Sequence, residues 1–172
     1  MHDLPRQAFI VSDAEAPQRA GGWLPRVRLL GVAGIVFVLD QYTKAAVVRA
    51  MFVGETAPLL GSSVSLTRRS NTGGAFGMFP GSSAVLALVG AAVIVALVLL
   101  APRFTGLNKA ALVGLALVMG GAAGNLVDRV RGGHVVDFID VHFWPVFNVA
   151  DIGITVGAIL VLIALLLEGK SR

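Results

Sequence analysis

The feature that most constrains this chain is a long apolar run, at 82–101, that contains no charged side chain. About 20 consecutive apolar residues is the length that an α-helix needs to cross the ~30 Å hydrocarbon core of a membrane. Three further stretches, at 27–51, 110–127 and 149–167, support the same interpretation. Only 14% of the residues are charged, which excludes an ordinary soluble domain. The sequence therefore predicts an all-α membrane protein built as a bundle of four transmembrane helices.

The 172 residues favour one membrane domain, predicted at 27–168, after a cytoplasmic tail at 1–26 that has no apolar segment of signal-peptide length. Arginines before the first span favour a cytoplasmic N-terminus under the positive-inside rule. Four spans then return the C-terminus to the cytoplasm and place the loops 52–81 and 128–148 outside. The charge count supports this topology weakly, with eight Lys or Arg on the inner side and six on the outer.

The two outer loops differ in character. The first is rich in glycine and proline and alternates apolar and hydroxyl residues at 63–67, which predicts a small extracytoplasmic β-sheet that ends in a turn at 71–74. The second carries Phe143 and Trp144 at the expected height of the lipid headgroups. We expect the segment 134–147 to form a short outer lid over a site.

Polar residues gather at the outer ends of the predicted spans. Ionisable groups beside lipid are costly, so by default they mark a functional site. The topology places all of them at one face of the membrane. They are Asp40, Lys44, Asn71, Asn125, Asp128, Arg129, Asp137, Asp140, Asn148 and Asp151.

Pairs of carboxylates in a poorly hydrated site share a proton, because both cannot easily ionise. The ionised member can activate water while the protonated member hydrogen-bonds a carbonyl, as in aspartic proteases. Asp151 has little polar company except Asn148, and Asp137 lies between apolar neighbours that raise a carboxyl pKa. Asp128 and Asp140 have more obvious arginine-paired or solvated interpretations. Spacing alone does not decide which two carboxylates pair.

Structural interpretations compete with the catalytic one. Asp40 and Lys44, four residues apart on one helix face, are spaced for an ion pair. Asp128 beside Arg129 is typical of a structural pair at a helix end, Asn125 of a bridge between helices, and Asn71 of a turn.

Other chemistries and other classes of protein are also open. Lys44 with a serine of the first outer loop (Ser62, Ser63, Ser65 or Ser70) would make a serine and lysine dyad, and His134 and His142 with a nearby aspartate a metal site, although no HExxH motif occurs. A proton-coupled transporter also needs carboxylates in the membrane, but internal repeats are absent. A non-catalytic assembly subunit would explain the glycine pairs Gly120 with Gly124 and Gly153 with Gly157, which are spaced for close helix packing.

Several classes of ligand have little support. The absence of cysteine excludes thiol nucleophiles and disulfides. The net charge of +4 is scattered, with one basic doublet at Arg68 and Arg69, so we expect no nucleic acid and, instead, contact with anionic lipid.

Five blocks in register between Asp40 and Asp151 resemble the lipoprotein signal peptidase (signal peptidase II) family, bacterial membrane aspartic proteases. Gly74 departs from the family's usual alanine. The blocks are Asp40, Gln41, Thr43 and Lys44; Asn71, Gly73, Ala75 and Phe76; Gly120, Gly121, Ala122, Gly124, Asn125, Asp128 and Arg129; Val135, Val136, Asp137, Phe138 and Ile139; and Phe147, Asn148, Ala150 and Asp151.

The resemblance implies that Asp137 and Asp151 are the catalytic pair. It also implies that Asn125, Asp128, Arg129 and Asn148 support the pair or the substrate, that Asn71 contacts substrate, and that Asp40 and Lys44 form a structural element beneath the site.

The same resemblance implies a substrate, an inhibitor and a location. The substrate is a prolipoprotein with a diacylglyceryl-modified cysteine, cut just before that cysteine, and globomycin is an inhibitor. We expect a monomer in the bacterial inner membrane, with the active site near the outer face and with no metal or organic cofactor.

Overall fold

The computed structural model describes residues 23–73, 81–100 and 108–169. Within these ranges each of four helices contains a segment long and apolar enough to cross a membrane, and a small antiparallel sheet accompanies them, so the predicted fold class is confirmed. The tail 1–22, the loop 101–107 and Gly74, Ala75 and Phe76 lie outside the described residues. The elements are α1 (Trp23–Ala50), β1 (Thr56–Leu60), β2 (Val64–Asn71), α2 (Ser83–Leu100), α3 (Lys109–Gly132), β3 (Val135–Asp140) and α4 (Val149–Gly169).

The third helix is longer than the sequence indicates. The predicted span ends at 127, whereas α3 continues to Gly132, so Asp128 and Arg129 lie on a helix rather than in an outer loop. The helix stops at Gly133, which adopts a left-handed backbone (φ 68°) and donates its N–H to the Arg129 carbonyl. Glycine enters that conformation without the steric cost that other residues bear, and it commonly ends helices in this way.

Helix α3 lies at the centre of the bundle, in contact with α1, α2 and α4. Glycines allow these approaches: a Cβ on Gly114 would lie 2.6 Å from the Gly157 carbonyl oxygen, and a Cβ on Gly121 would collide with the Ala150 carbonyl. Gly120 meets α1 at Ala33 in the same manner. The predicted close packing at glycine is confirmed, and it brings the polar side chains of α3 within reach of α1 and α4.

The sheet has the order β1-β2-β3 and is antiparallel throughout. It lies at one end of the bundle, because β1 and β2 join α1 to α2 while β3 joins α3 to α4. Part of the segment predicted as a lid is therefore the third strand, with Arg69 opposite Asp137 and Asn71 opposite Val135. The predicted sheet in the first outer loop exists, but its third strand comes from the segment between α3 and α4, far along the chain.

Apolar and polar contacts fasten the sheet to the end of α1. Val47 of α1 and Met51, which follows the helix directly, are buried with Phe138 of β3 in one hydrophobic cluster. The Arg68 guanidinium donates to the carbonyl of Val48 (3.2 Å), which has no partner within the last turn of the helix, and to the carbonyl of Met51. The sheet is thereby held in a fixed position over the bundle end where the polar residues gather.

Candidate active site

A cavity of about 820 Å³ lies between the sheet and the adjoining ends of α3 and α4. Asp137 of β3 and Asp151 of α4 both line it, together with Asn71, Asn125 and Arg129. The lining also includes Ile154 and Thr155 of α4 and, from the sheet and the stretch after it, Arg69, Asp140, His142 and Trp144.

Asp137 is held on the strand by two side-chain amides. The Asn71 Nδ2 donates to Asp137 Oδ2 (2.8 Å), and the Asn148 Nδ2 donates to Asp137 Oδ1 (2.7 Å). The residue is only 3% exposed. Burial raises the pKa of Asp137 to about 6, and the charge of Asp151 adds to the rise, against the two hydrogen bonds, which lower it. The expected raised pKa of this carboxyl is confirmed.

Asp151 lies in the first turn of α4, where Asn148 caps the helix. The Asn148 Oδ1 accepts from the Asp151 backbone N–H (2.9 Å), and Asp151 Oδ2 accepts from the Asn148 backbone N–H (3.2 Å), which is a reciprocal capping box. The Asn125 Nδ2 donates to Asp151 Oδ1 (2.8 Å). Asn148 therefore contacts both carboxylates at once, through its side chain and its backbone, and brings strand β3 and helix α4 together at the cavity.

A buried group that we call the inner cluster consists of Asp40, Lys44, Asn125 and Asp128. Lys44 Nζ lies 2.8 Å from Asp40 Oδ2, 2.8 Å from Asp128 Oδ2 and 2.9 Å from Asn125 Oδ1. An ammonium group has three donors, so Lys44 is fully engaged. The predicted pair of Asp40 and Lys44 is confirmed, and these contacts disfavour a serine and lysine dyad.

The partner of Asp128 differs from the structural interpretation of the sequence. Asp128 forms its ion pair with Lys44 on α1 and accepts from the Val136 backbone N–H (3.3 Å), rather than pairing with Arg129. Arg129 donates to the Asn125 carbonyl at 3.4 Å, and its buried Nε has no hydrogen-bond partner among the described residues. A guanidinium with spare donors therefore lines the cavity beside the two carboxylates.

A second polar group, the outer cluster, consists of Ser65, Thr67, Asp140 and His142. Asp140 Oδ2 accepts from Thr67 Oγ1 (2.9 Å), and Asp140 Oδ1 accepts from the His142 backbone N–H (2.9 Å). The His142 ring lies between Asp140 (Nδ1 to Oδ1, 3.5 Å) and Ser65 (Nε2 to Oγ, 3.3 Å). The hydrogen bond from the His142 N–H holds the pKa of Asp140 below its usual value.

The outer cluster was not predicted from the sequence. Its local signal was the Asp-x-His spacing at Asp140 and His142, since an aspartate often binds the backbone N–H two residues on. Ser65 was expected only as a partner of Lys44 and Thr67 only as a strand residue, because they reach Asp140 and His142 only through the pairing of β2 with β3. His134 lies apart from them, with its Nδ1 2.7 Å from the Gly132 carbonyl. Within the described ranges, no three His, Asp or Glu side chains are placed to share a metal ion.

Comparison with known proteins shows the family to which this chain belongs. The model of the family described as Signal peptidase (SPase) II matches residues 32–167. The lipoprotein signal peptidase of Brevibacillus brevis is 38% identical over 144 residues, which cover 82% of this chain and 96% of the relative. That of Mycolicibacterium smegmatis is 42% identical over 166 residues, which cover 91% of this chain and 67% of the relative.

Two solved structures, each described as a bacterial membrane enzyme, share the fold. The first has a TM-score of 0.80 at 31% sequence identity, over 85% of this chain and 92% of the other. The second has a TM-score of 0.74 at 33% identity, over 81% of this chain and 93% of the other. The family match covers most of the chain and includes all four spans. This chain is therefore a multi-pass membrane protease of bacterial type and belongs to the signal peptidase II family.

Proposed function

We propose that this protein is an aspartic endopeptidase that removes the signal peptide from diacylglyceryl-modified prolipoproteins, by cutting before the lipidated cysteine. The catalytic pair is Asp137 and Asp151. The observation that carries the proposal is that these two carboxylates line one cavity and are both bound by Asn148. The names of the relatives, lipoprotein signal peptidases, support the choice of substrate.

The surroundings of the two carboxylates support different roles. Both carboxylates accept N–H donors at both oxygens, but Asp151 lies at the N-terminal end of α4, where the helix dipole favours negative charge. Asp151 is therefore the ionised member that takes a proton from water. Asp137 is buried and its pKa is raised to about 6, so it takes up the shared proton more readily than an ordinary aspartate and donates it to the substrate carbonyl oxygen.

The reaction then follows from these positions. Hydroxide formed at Asp151 attacks the carbonyl carbon while Asp137 protonates the oxygen, which gives a tetrahedral diol. When the diol collapses, the carbon–nitrogen bond breaks, the proton taken up by Asp151 passes to the amine of the cysteine, and Asp137 takes back the proton of the hydroxyl that becomes the new carbonyl. Arg129 lines the cavity beside the two carboxylates and binds a carbonyl of the substrate backbone.

The surrounding residues hold the pair in position. Asn125 links the pair to the inner cluster, because its Oδ1 accepts from Lys44 while its Nδ2 donates to Asp151. The fixed Lys44 charge thereby orients the Asn125 amide toward Asp151. Asn71, assigned from sequence to substrate contact, donates to Asp137 as well and so serves the pair directly. Asp40 and Asp128 neutralise Lys44 beneath the site.

The shape of the cavity suggests how substrate lies in it. Ile154 and Thr155 belong to the apolar helix α4, so the part of the cavity that they line adjoins the membrane-spanning region. The signal peptide, which is apolar, enters from that side, and the mature segment leaves past the sheet. Membrane confinement of the lipid anchor supplies part of the positioning.

The proposed function also includes an orientation in the membrane and a class of inhibitor. Both termini are cytoplasmic, the protein lies in the inner membrane as a monomer, and the sheet with the active site is at the outer face. The stretch after β3, which lines the cavity from Trp144 to Phe147, acts as the gate. A globomycin-type inhibitor occupies the cavity in place of substrate.

The test is cleavage of a purified diacylated prolipoprotein by the protein in detergent. Asp137→Asn and Asp151→Asn keep the shape of each side chain but remove its proton chemistry, so kcat/KM falls on the order of 10³-fold for either variant. Glu55→Gln makes the same chemical change at an exposed loop residue and leaves turnover unchanged. Folding is checked by thermal unfolding of each variant.

Either aspartate variant cleaving as fast as the unchanged protein contradicts the catalytic pair. Absence of cleavage by the unchanged protein contradicts the peptidase function itself. Cleavage that is blocked by globomycin and abolished in both folded variants is the expected result.

A further inference from the structure

The sheet contributes to the cavity lining a positively charged side chain that the proposed reaction does not use. Arg69 of β2 is exposed, lines the cavity and lies opposite Asp137 in the strand register. Residues paired in an antiparallel sheet have Cα atoms about 5 Å apart, so the long Arg69 side chain starts next to the catalytic pair.

The carboxylates nearest to Arg69 are occupied by other donors. Asp137 is bound by Asn71 and Asn148, and Asp140 is bound by Thr67 and His142. Within the described part of the chain Arg69 takes part in no salt bridge. Arg69 therefore lines the cavity without an ion-pair partner at contact distance, and its charge acts at longer range on Asp140, whose pKa it helps to lower.

Arg68, the neighbouring arginine, has a different environment. Its guanidinium is spent on the carbonyls of Val48 and Met51 at the end of α1. The basic doublet thus splits into one arginine that fastens the sheet and one that faces the cavity.

We infer that Arg69 is a specificity-determining residue, which contacts the mature segment of the substrate and favours an acidic side chain directly after the lipidated cysteine. This inference rests on the proposed function. An extended peptide advances ~3.3 Å per residue, so the second residue past the cut bond lies about 7 Å from the catalytic pair, within reach of an arginine on the paired strand. A guanidinium binds a carboxylate through two parallel hydrogen bonds.

The test uses three forms of one diacylated prolipoprotein that differ only in the residue after the cysteine: aspartate, asparagine or lysine. The unchanged protein cleaves the aspartate form about fivefold better than the lysine form in kcat/KM, the size expected of a solvent-accessible ion pair. Arg69→Gln removes the preference and Arg69→Glu reverses it. The preference weakens as ionic strength rises, because salt screens exposed charges.

Arg131→Gln is the matched control, since Arg131 is exposed and does not line the cavity, and this variant keeps the preference of the unchanged protein. Equal cleavage of the three substrates by the unchanged protein, or an unaltered preference in Arg69→Glu, overturns the inference and leaves the peptidase function standing. An equal loss on all three substrates that follows the anionic lipid content of the micelles also overturns it, and assigns Arg69 to lipid headgroups. Absence of any cleavage by the unchanged protein overturns both the inference and the proposed function.

Discussion

The inner and outer clusters are both polar but differ in the burial of their ionisable groups, since in the outer cluster only the hydroxyl residues Ser65 and Thr67 are buried. In the inner cluster Asp40 is 0% exposed and Lys44 3% exposed, and every Lys44 donor has a fixed acceptor. In the outer cluster the His142 side chain is 47% exposed and lines the cavity. Charges taken out of water are costly unless they are paired, whereas exposed pairs contribute little. The inner cluster therefore supports the fold beneath the site, whereas the outer cluster shapes the cavity wall and contributes little to stability.

The two aspartates of β3 show the same contrast over three residues. Burial raises the pKa of Asp137 to about 6, while a backbone N–H from His142 lowers the pKa of Asp140. One strand thus carries a carboxyl that holds its proton up to about pH 6 and a carboxyl that releases its proton more readily than an ordinary aspartate.

The largest expected loss of stability comes from breaking the inner cluster. Lys44→Met leaves Asp40 and Asp128 buried without their cation, so we expect a loss of about 3 to 5 kcal/mol in the free energy of unfolding. The measurement is unfolding in detergent, with Lys109→Met at an exposed position as control. A Lys44→Met protein as stable as the control variant would show that the inner cluster contributes no more to the free energy of unfolding than the outer one.

The pH dependence of stability tests Asp137. Since its pKa in the folded protein is raised above the ordinary value, its contribution to stability is full below about pH 4 and is lost as the pH rises through about 6. The change is on the order of 3 kcal/mol. Asp137→Asn lacks this dependence, so its unfolding midpoint, measured over the same pH range, stays level where that of the unchanged protein falls. Parallel curves for the two proteins would contradict the buried, protonated state of Asp137.

Asp140 should respond to pH in the opposite sense. Its lowered pKa gives a contribution that is present above the ordinary pKa of an aspartate and is lost as the pH falls through the folded value. Asp140→Asn therefore costs about 1 kcal/mol at neutral pH, and the difference from the unchanged protein narrows in acid. Thermal unfolding of Asp140→Asn and of the unchanged protein, at neutral and at acidic pH, measures this difference in stability. A difference that widens in acid would remove the contrast between the two ends of β3.

The smallest effect is expected at His142, which has a left-handed backbone (φ 65°). His142→Gly loses the contacts of the ring but relieves the backbone strain, so the free energy of unfolding changes by no more than about 1 kcal/mol. His142→Val keeps the strain with a β-branched side chain that tolerates this conformation poorly, and it should be the less stable variant. The free energies of unfolding of the two variants, measured side by side, test this prediction. A His142→Gly protein less stable than His142→Val would mean that the ring contacts outweigh the backbone strain.

Much of the fold followed from short-range patterns. The four spans, the pair of Asp40 with Lys44 and the close packing at Gly120 are confirmed, because hydropathy and helical spacing are properties of neighbouring residues. The elevated pKa of Asp137 followed from its apolar neighbours in the sequence.

Contacts between distant parts of the chain were decided only in the folded protein. The sequence alone determined that four apolar helices carry acids and amides at their ends, because a membrane selects for length and hydropathy in contiguous residues. The tertiary structure decided that residues 135–140 join β2 as a strand, that Asp128 pairs with Lys44, and that Asn148 contacts both Asp137 and Asp151. These outcomes depend on how the helices pack and how the strands register, and packing between segments many residues apart leaves no periodic signal in either segment.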